Sequence, residues 1–217
     1  MQGSSGTRMP SNPVPMIHQY KVLLRDIAPA IWRRIQVPGS YTFWDLHVAI
    51  QDSMGWLDYH LHAFRFPEAD GKRAVEMGIP DEESNPAVLP GWQVGITDHF
   101  IRPGMVALYE YDFGDGWEHE IVLEDVLLSE PKQKYPRCIA GARACPPEDC
   151  GGVPGYQHLL EVLSHPRHPE HAESVAWLKG HAKNYHPFDP ERFDARAVRF
   201  SNPKKRWAKA FAGRGSR

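Results

Sequence analysis

Tyr109-Glu-Tyr-Asp-Phe-Gly-Asp-Gly-Trp-Glu-His-Glu-Ile121 sets two alternating runs of apolar and polar residues on either side of a turn crowded with Asp and Gly. Alternation with period 2 sends successive side chains to opposite faces of a strand, and Asp-Gly between two such runs marks a hairpin. The runs extend outward, from Met105 to Tyr111 and from Trp117 to Asp125. Two registers are open. If the loop is centred between Gly114 and Asp115, His119 faces Glu110; if Asp115-Gly116 is a two-residue turn, it faces Asp112. Either register places a carboxylate across the ladder, near enough to orient the imidazole.

Working outward, Ile17 to Ile27 and Ile31 to Val37 are β-branched, partly alternating runs separated by Pro29, which fit a second hairpin ended by Pro38-Gly39. Thr42 then stands at an N-cap position with Asp45 three residues on. Phe43, Leu46, Ala49, Ile50 and Met54 recur at helical spacing before Gly55, so a helix from Phe43 to Met54 is expected. His60-Leu-His-Ala-Phe-Arg-Phe66 alternates, which would put His60, His62, Phe64 and Phe66 on one strand face as a ligand pair or as aromatic packing with a wet end. Residues 68–102 are broken by Pro and Gly and read as an irregular excursion with one short strand, a segment long enough to lid a site. Two helices are expected near the C-terminus. One carries Tyr156, Leu159, Leu160 and Leu163, and the other, from Pro169 to Lys183, turns Ala172, Val175, Ala176 and Trp177 inward.

A chain of 217 residues with 41% hydrophobic and 24% charged residues has the composition of one ordinary globular domain. No apolar run approaches the roughly 18 residues of a membrane span, so a cytoplasmic protein without a membrane partner is expected. Residues 1–16 are rich in Gly, Ser, Pro and Asn and read as a disordered leader, residues 17–198 as the folded domain, and 199–217 as a basic tail. Charge is uneven: from Arg196 onward there are eight Lys or Arg and no Asp or Glu. Lys204, Lys205, Arg206, Trp207 and Lys209 interleave cations with an aromatic ring, a pattern that suits nucleic-acid phosphates and bases and equally suits a solvated terminus.

The three cysteines, Cys138, Cys145 and Cys150, fall within thirteen residues, and Pro146-Pro147 stiffens the last interval. Three thiolates and one imidazole make a tetrahedral zinc site, with His119 or His62 as fourth ligand and Glu110 or Asp112 behind His119. Reduced thiols in a tight loop and a Cys145/Cys150 disulfide are the other two states open to them. A catalytic alternative draws on Asp112, Asp115, His119, Glu148 and Asp149, since a carboxylate-oriented imidazole is a competent base near neutral pH. The run Gly151-Gly-Val-Pro-Gly155 lacks the Lys and Ser/Thr of a phosphate-binding P-loop and reads as a helix-entry turn.

Five runs in order carry a family resemblance: Ile31-Trp-Arg-Arg-Ile-Gln-Val37; Phe43-Trp-Asp-Leu-His-Val-Ala-Ile-Gln51 with Met54-Gly-Trp56; His60-Leu-His-Ala-Phe64; Tyr111-Asp-Phe-Gly-Asp-Gly-Trp-Glu-His119; and Cys138-Ile-Ala-Gly141 leading to Cys145-Pro-Pro-Glu-Asp-Cys-Gly-Gly152. Over about residues 17–185 the chain resembles the plasmid pRiA4b ORF-three-like family, also labelled insertion-element passenger TnpR-like. The resemblance implies a single α+β domain with a mixed or antiparallel sheet, a helix after the first two strands and two helices near the C-terminus. It implies no reaction, and no arginine-surrounded serine of a recombinase is in evidence. The reading is an interaction module, zinc-stabilised through Cys138, Cys145, Cys150 and His119, with an unknown protein partner and mobile-element DNA as a partner of the tail. The alternative is a metal-assisted or His/carboxylate hydrolase using His119 with Asp115 or Asp149.

Overall fold

The computed structural model describes residues 14–67, 74–80 and 88–211. Eight strands form one sheet in the order β5-β4-β3-β6-β7-β1-β2-β8. β1 (Met16–Leu24) and β2 (Ile31–Pro38) form the expected hairpin, and β1 also pairs with β7 (Trp117–Leu128), so the long β7 lies at the centre of the sheet. β6 (Val106–Tyr111) joins β7 to β3 (His62–Phe66), and β8 (Arg137–Ala142) closes the far edge on β2. All pairs are antiparallel except β4 (Val75–Gly78) with β5 (Val88–Pro90), which makes the sheet mixed. The excursion thus contributes two short strands and a 3-10 turn, Ile96–Asp98, where one strand was expected. Residues 68–73 and 81–87 lie outside the described residues.

α1 (Phe43–Met54) ends where its caps dictate. Thr42 accepts from the Asp45 amide while the Asp45 carboxylate accepts from the Thr42 amide, and Gly55 takes the left-handed conformation at φ 94° that stops the helix. Its apolar face packs Phe43, Leu46 and Ile50 into a core with Tyr20, Val22, Ile35, Phe64, Tyr109 and Ile121 from the sheet. Full burial of side chains of this size contributes about 1.5–3 kcal/mol each.

α2 (Gly152–Ser164) and α3 (His171–Gly180) follow the cysteine loop and pack on one another. In α3 the inward residue is Leu178, whereas Trp177 is among the exposed large hydrophobics and Ala172 and Ala176 are exposed. Of the expected leader, residues 1–13 lie outside the described residues, while Met16 already pairs with Leu128 in the sheet. At the other end, α4 (Pro203–Ala210) is a helix capped by Asn202, and residues 212–217 lie outside the description.

The register of the central hairpin differs from both sequence expectations. Tyr111 pairs with Trp117 across a five-residue loop, Asp112 to Gly116, so His119 lies opposite Tyr109. Asp112 enters the loop at φ 57° and Gly116 leaves it at φ 67°, and these two left-handed residues take up the extra length.

Candidate metal centre

Three loops converge at one end of the sheet: the turn between α1 and β3, the Asp112–Gly116 loop, and the turn between β8 and α2. Asp112 is shaped by its own side chain, whose Oδ1 accepts from the amides of Gly114 at 3.0 Å and Asp115 at 3.3 Å. This Asx turn leaves Oδ2 directed at His60 Nε2, 3.6 Å away. The same Nε2 lies 2.9 Å from Asp149 Oδ1, and Asp149 Oδ2 lies 3.9 Å from His181 Nε2. Ligand atoms of His60, Asp112 and Asp149 all fall within 4.8 Å of one another. Metal–ligand bonds of about 2.1 Å allow two donors on one ion to stand up to roughly 4.2 Å apart, which the two His60–carboxylate separations satisfy.

The turns that aim these groups are locked to one another. Asp115 Oδ2 accepts from the Gly151 amide at 3.2 Å, and a side chain on Gly152 would run into the Asp115 carbonyl, so the hairpin loop rests against the start of α2. Trp56 Nε1 donates to the Pro146 carbonyl at 3.0 Å, which ties the loop to the end of α1. Asp149 sits at φ 56°, a conformation that Asp tolerates better than bulkier residues.

Beneath the three ligand groups lies Glu148, fully buried. Its carboxyl accepts from the Leu57 amide at 2.5 Å and from the Tyr111 hydroxyl, 3.2 Å from each oxygen. Burial pushes its pKa up, and the neighbouring Asp149 charge adds to the rise against the opposing pull of these donors and of His60. A carboxyl whose proton is held more tightly than usual, next to an accessible histidine and two aspartates, is suited to proton transfer.

The residues singled out by sequence are distributed differently. Cys138, Cys145 and Cys150 are free thiols. Burial pushes all three up, Cys145 to about 12, which keeps them protonated near neutrality. They do not join a close group of three metal-ligating atoms among the described residues. His119 is fully buried, its Nδ1 directed at the carbonyls of Tyr109 and Trp117, 3.2 Å from each. Burial, against those two carbonyl bonds and with a smaller contribution from nearby Arg33, lowers its pKa to about 4, and its Nε2 has no hydrogen-bond partner among the described residues. Neither carboxylate expected behind it is there. Glu110 pairs with Arg65 on the opposite face of the sheet, and Asp112 turns to His60, both because Tyr109 occupies the register position they were assigned.

His60 was assigned to the face of a strand, but β3 begins only at His62, and the two histidines part company. His62 is buried, with its ring stacked on His47, while His60 stands in the preceding turn with 30% of its side chain accessible. In α4, Arg206 bonds to Asp52 at 2.5 Å and Asp58 at 3.3 Å, and Trp207 packs on Trp44 and Trp92, which leaves Lys204, Lys205 and Lys209 exposed.

The sheet and helices define an α+β protein, and no helix among the described residues is long and apolar enough to cross a membrane. The chain belongs to the family described as Plasmid pRiA4b ORF-3-like protein, which matches residues 16–197. It is 36% identical over 165 residues to the uncharacterized protein y4hQ of Sinorhizobium fredii (strain NBRC 101917 / NGR234), covering 76% of this chain and 81% of that one. Its fold resembles the crystal structure of the protein of unknown function MM3350 from Methanosarcina mazei Go1, with TM-score 0.76 and 39% identity over 87% of this chain and all of that one.

Proposed function

We propose that the protein binds a divalent transition-metal ion at His60, Asp112 and Asp149 and serves hydrolytic chemistry there. The observation that carries this reading is the approach of three ligand atoms to within 4.8 Å at the accessible mouth of three locked loops. One nitrogen and carboxylate oxygens suit zinc, manganese or iron, and a site with three protein ligands leaves a position open, as catalytic metal sites do. A bound ion would lower the pKa of a coordinated water. Glu148 would hold or release the proton, and Tyr111 would fix its carboxyl through the bonds described above.

A structural zinc held by Cys138, Cys145, Cys150 and His119 is the second reading. One observation favours it: the buried His119 Nε2 lacks a hydrogen-bond partner among the described residues, as a ligand nitrogen does before its metal arrives. Association with mobile-element DNA would rest on Lys204, Lys205 and Lys209, because Arg206 and Trp207 face the body of the protein.

Elemental analysis of protein purified without a histidine tag separates the two readings. The first expects about one metal per chain, lost in Asp149→Ala and kept in Cys145→Ser, with metal-dependent turnover of p-nitrophenyl acetate or p-nitrophenyl phosphate. The opposite pattern of loss would establish the cysteine site, and metal-free wild-type protein that takes up none on dialysis would sink both.

A further inference from the structure

A cleft of about 640 Å³ opens between the end of α1, the loop after β8 and the segment from residue 183 to 199; His60, Asp112 and Asp149 are not among its lining residues. Arg33 forms part of its wall and is 1% exposed. Its Nε donates to the Ser53 carbonyl at 2.8 Å, and its Nη1 to the carbonyls of Trp32 and Ala142 at 2.8 and 2.9 Å. Nη2 makes no hydrogen bond among the described residues, and Phe193 covers one face of the guanidinium at 3.9 Å.

A buried guanidinium ordinarily has an anionic partner, because taking an isolated charge out of water is costly. The Ser53 carbonyl, in the last turn of α1, brings a partial negative charge of the helix end and offsets only part of this. The hydrogen-bond partners of Arg33 are carbonyl oxygens alone, and it forms no ion pair with a carboxylate among the described residues. Arg192 and Arg199 line the same cleft, and neither forms an ion pair among the described residues; Arg199 donates to the carbonyls of Arg196 and Val198. Lys183 adds a further cation to the wall, which also carries three carboxylates. Asp52 pairs with Arg206, while Asp189 and Asp194 each accept a backbone amide in a turn.

We propose that this cleft binds a small organic phosphate, its head against Arg33, Arg192 and Arg199 and its apolar body against Tyr185, Phe188 and Phe193. The unbonded Arg33 Nη2 and the exposed guanidinium groups of Arg192 and Arg199 favour the dianionic phosphate over a single carboxylate, since several donors match its several oxygens. The volume suits a ligand of drug or nucleotide size, and the aromatic wall supplies apolar surface for a body beyond the head.

Calorimetric titration of the full chain tests this, with EDTA present so that a metal at His60 cannot contribute. Phenyl phosphate is expected to bind once per chain, inorganic phosphate more weakly, and phenol not at all. Arg33 ties three segments together, and Arg33→Met risks the fold. The double variant Arg192→Ala/Arg199→Ala alters exposed positions only, and it is expected to weaken phenyl phosphate by tenfold or more, about 1.4 kcal/mol. Unchanged affinity in that variant, no binding of phenyl phosphate at millimolar concentration, or equal affinity for inorganic phosphate would overturn the assignment.

Discussion

His47 and His62 lie face to face in the core, their ring centroids 3.5 Å apart and their planes 9° from parallel. His47 is held at both nitrogens, by the Tyr109 hydroxyl and by Asp58, each at 2.8 Å. Two imidazolium rings at that distance would repel strongly, so at most one can be charged. Burial, and then the charge His47 would carry, push the pKa of His62 well below 6.5.

The pH dependence of stability follows. His62 and His119 both have folded pKa values below the unfolded value of 6.5, so the unfolded chain binds more protons below that pH. Their contribution is therefore intact above about 6.5 and is lost as pH falls toward 4, at up to about 1.4 kcal/mol per pH unit for each histidine. Urea unfolding at pH 7.5, 6 and 5 is expected to show this decline, and His62→Gln to make it shallower by one histidine's share. A pH-independent midpoint between 7.5 and 5 would contradict a neutral His62 in the stack.

Gly152 carries the contact between α2 and the hairpin loop. Its φ of 66° is left-handed, and an added Cβ would collide with the backbone carbonyl of Asp115, which cannot swing aside as a long side chain would. Gly152→Ala is expected to destabilise by roughly 1–2 kcal/mol from backbone strain alone, with the clash adding to it. Because the displaced loop carries Asp112, metal content should fall together with the melting temperature. Gly104, at φ 87° with open space around it, is the control: Gly104→Ala should cost strain and leave metal content unchanged.

Local chemistry was legible in this chain, and long-range convergence was not. Thr42, Asp45 and Gly55 state the limits of α1 because a cap needs only neighbours in sequence. The central hairpin was legible as an element, but its register hung on Asp112 entering the turn in a left-handed conformation, a choice its own side chain stabilises and no hydrophobic pattern announces. Asp112 and Asp149 were visible as candidates, yet alternation grouped His60 with His62. The signal available was Asp58 upstream, a turn residue at φ 63° that delays the strand past His60.

Helix α4 turns its mixed composition into two faces with different tasks. Arg206 reaches Asp52 and Asp58, whose side chains are only 8% and 11% accessible, and Asp58 in turn holds His47. Burial would raise the pKa of Asp58, but the charges and hydrogen bonds of His47 and Arg206 win and lower it. Arg206→Ala is expected to cost about 1.5–3 kcal/mol, the value of hydrogen bonds to charged groups, and to expose Trp44 and Trp207, with a red shift of tryptophan emission. Replacing Lys204, Lys205 and Lys209 together by Ala should leave stability within about 0.5 kcal/mol of wild type. The same triple variant should remove any salt-dependent binding of the chain to duplex DNA, and binding that survives would have to come from another surface.

Glu148 separates chemistry from architecture. Its folded pKa lies above the ordinary 4.5, so its stabilising contribution belongs to the protonated form and is lost as pH rises through the folded value. Glu148→Gln replaces the carboxyl by a neutral group of nearly the same shape, which can still accept from the Leu57 amide and the Tyr111 hydroxyl. At pH 8 the variant should therefore be as stable as wild type or more so. Its metal stoichiometry should be unchanged, because the ligand atoms belong to His60, Asp112 and Asp149. Metal-dependent turnover, by contrast, should fall by a factor on the order of 10² to 10⁴, the usual worth of a general acid or base. Glu148→Gln protein that binds metal and turns over p-nitrophenyl substrates at the wild-type rate and pH profile would show that the buried carboxyl serves only to hold Leu57 and Tyr111 in place.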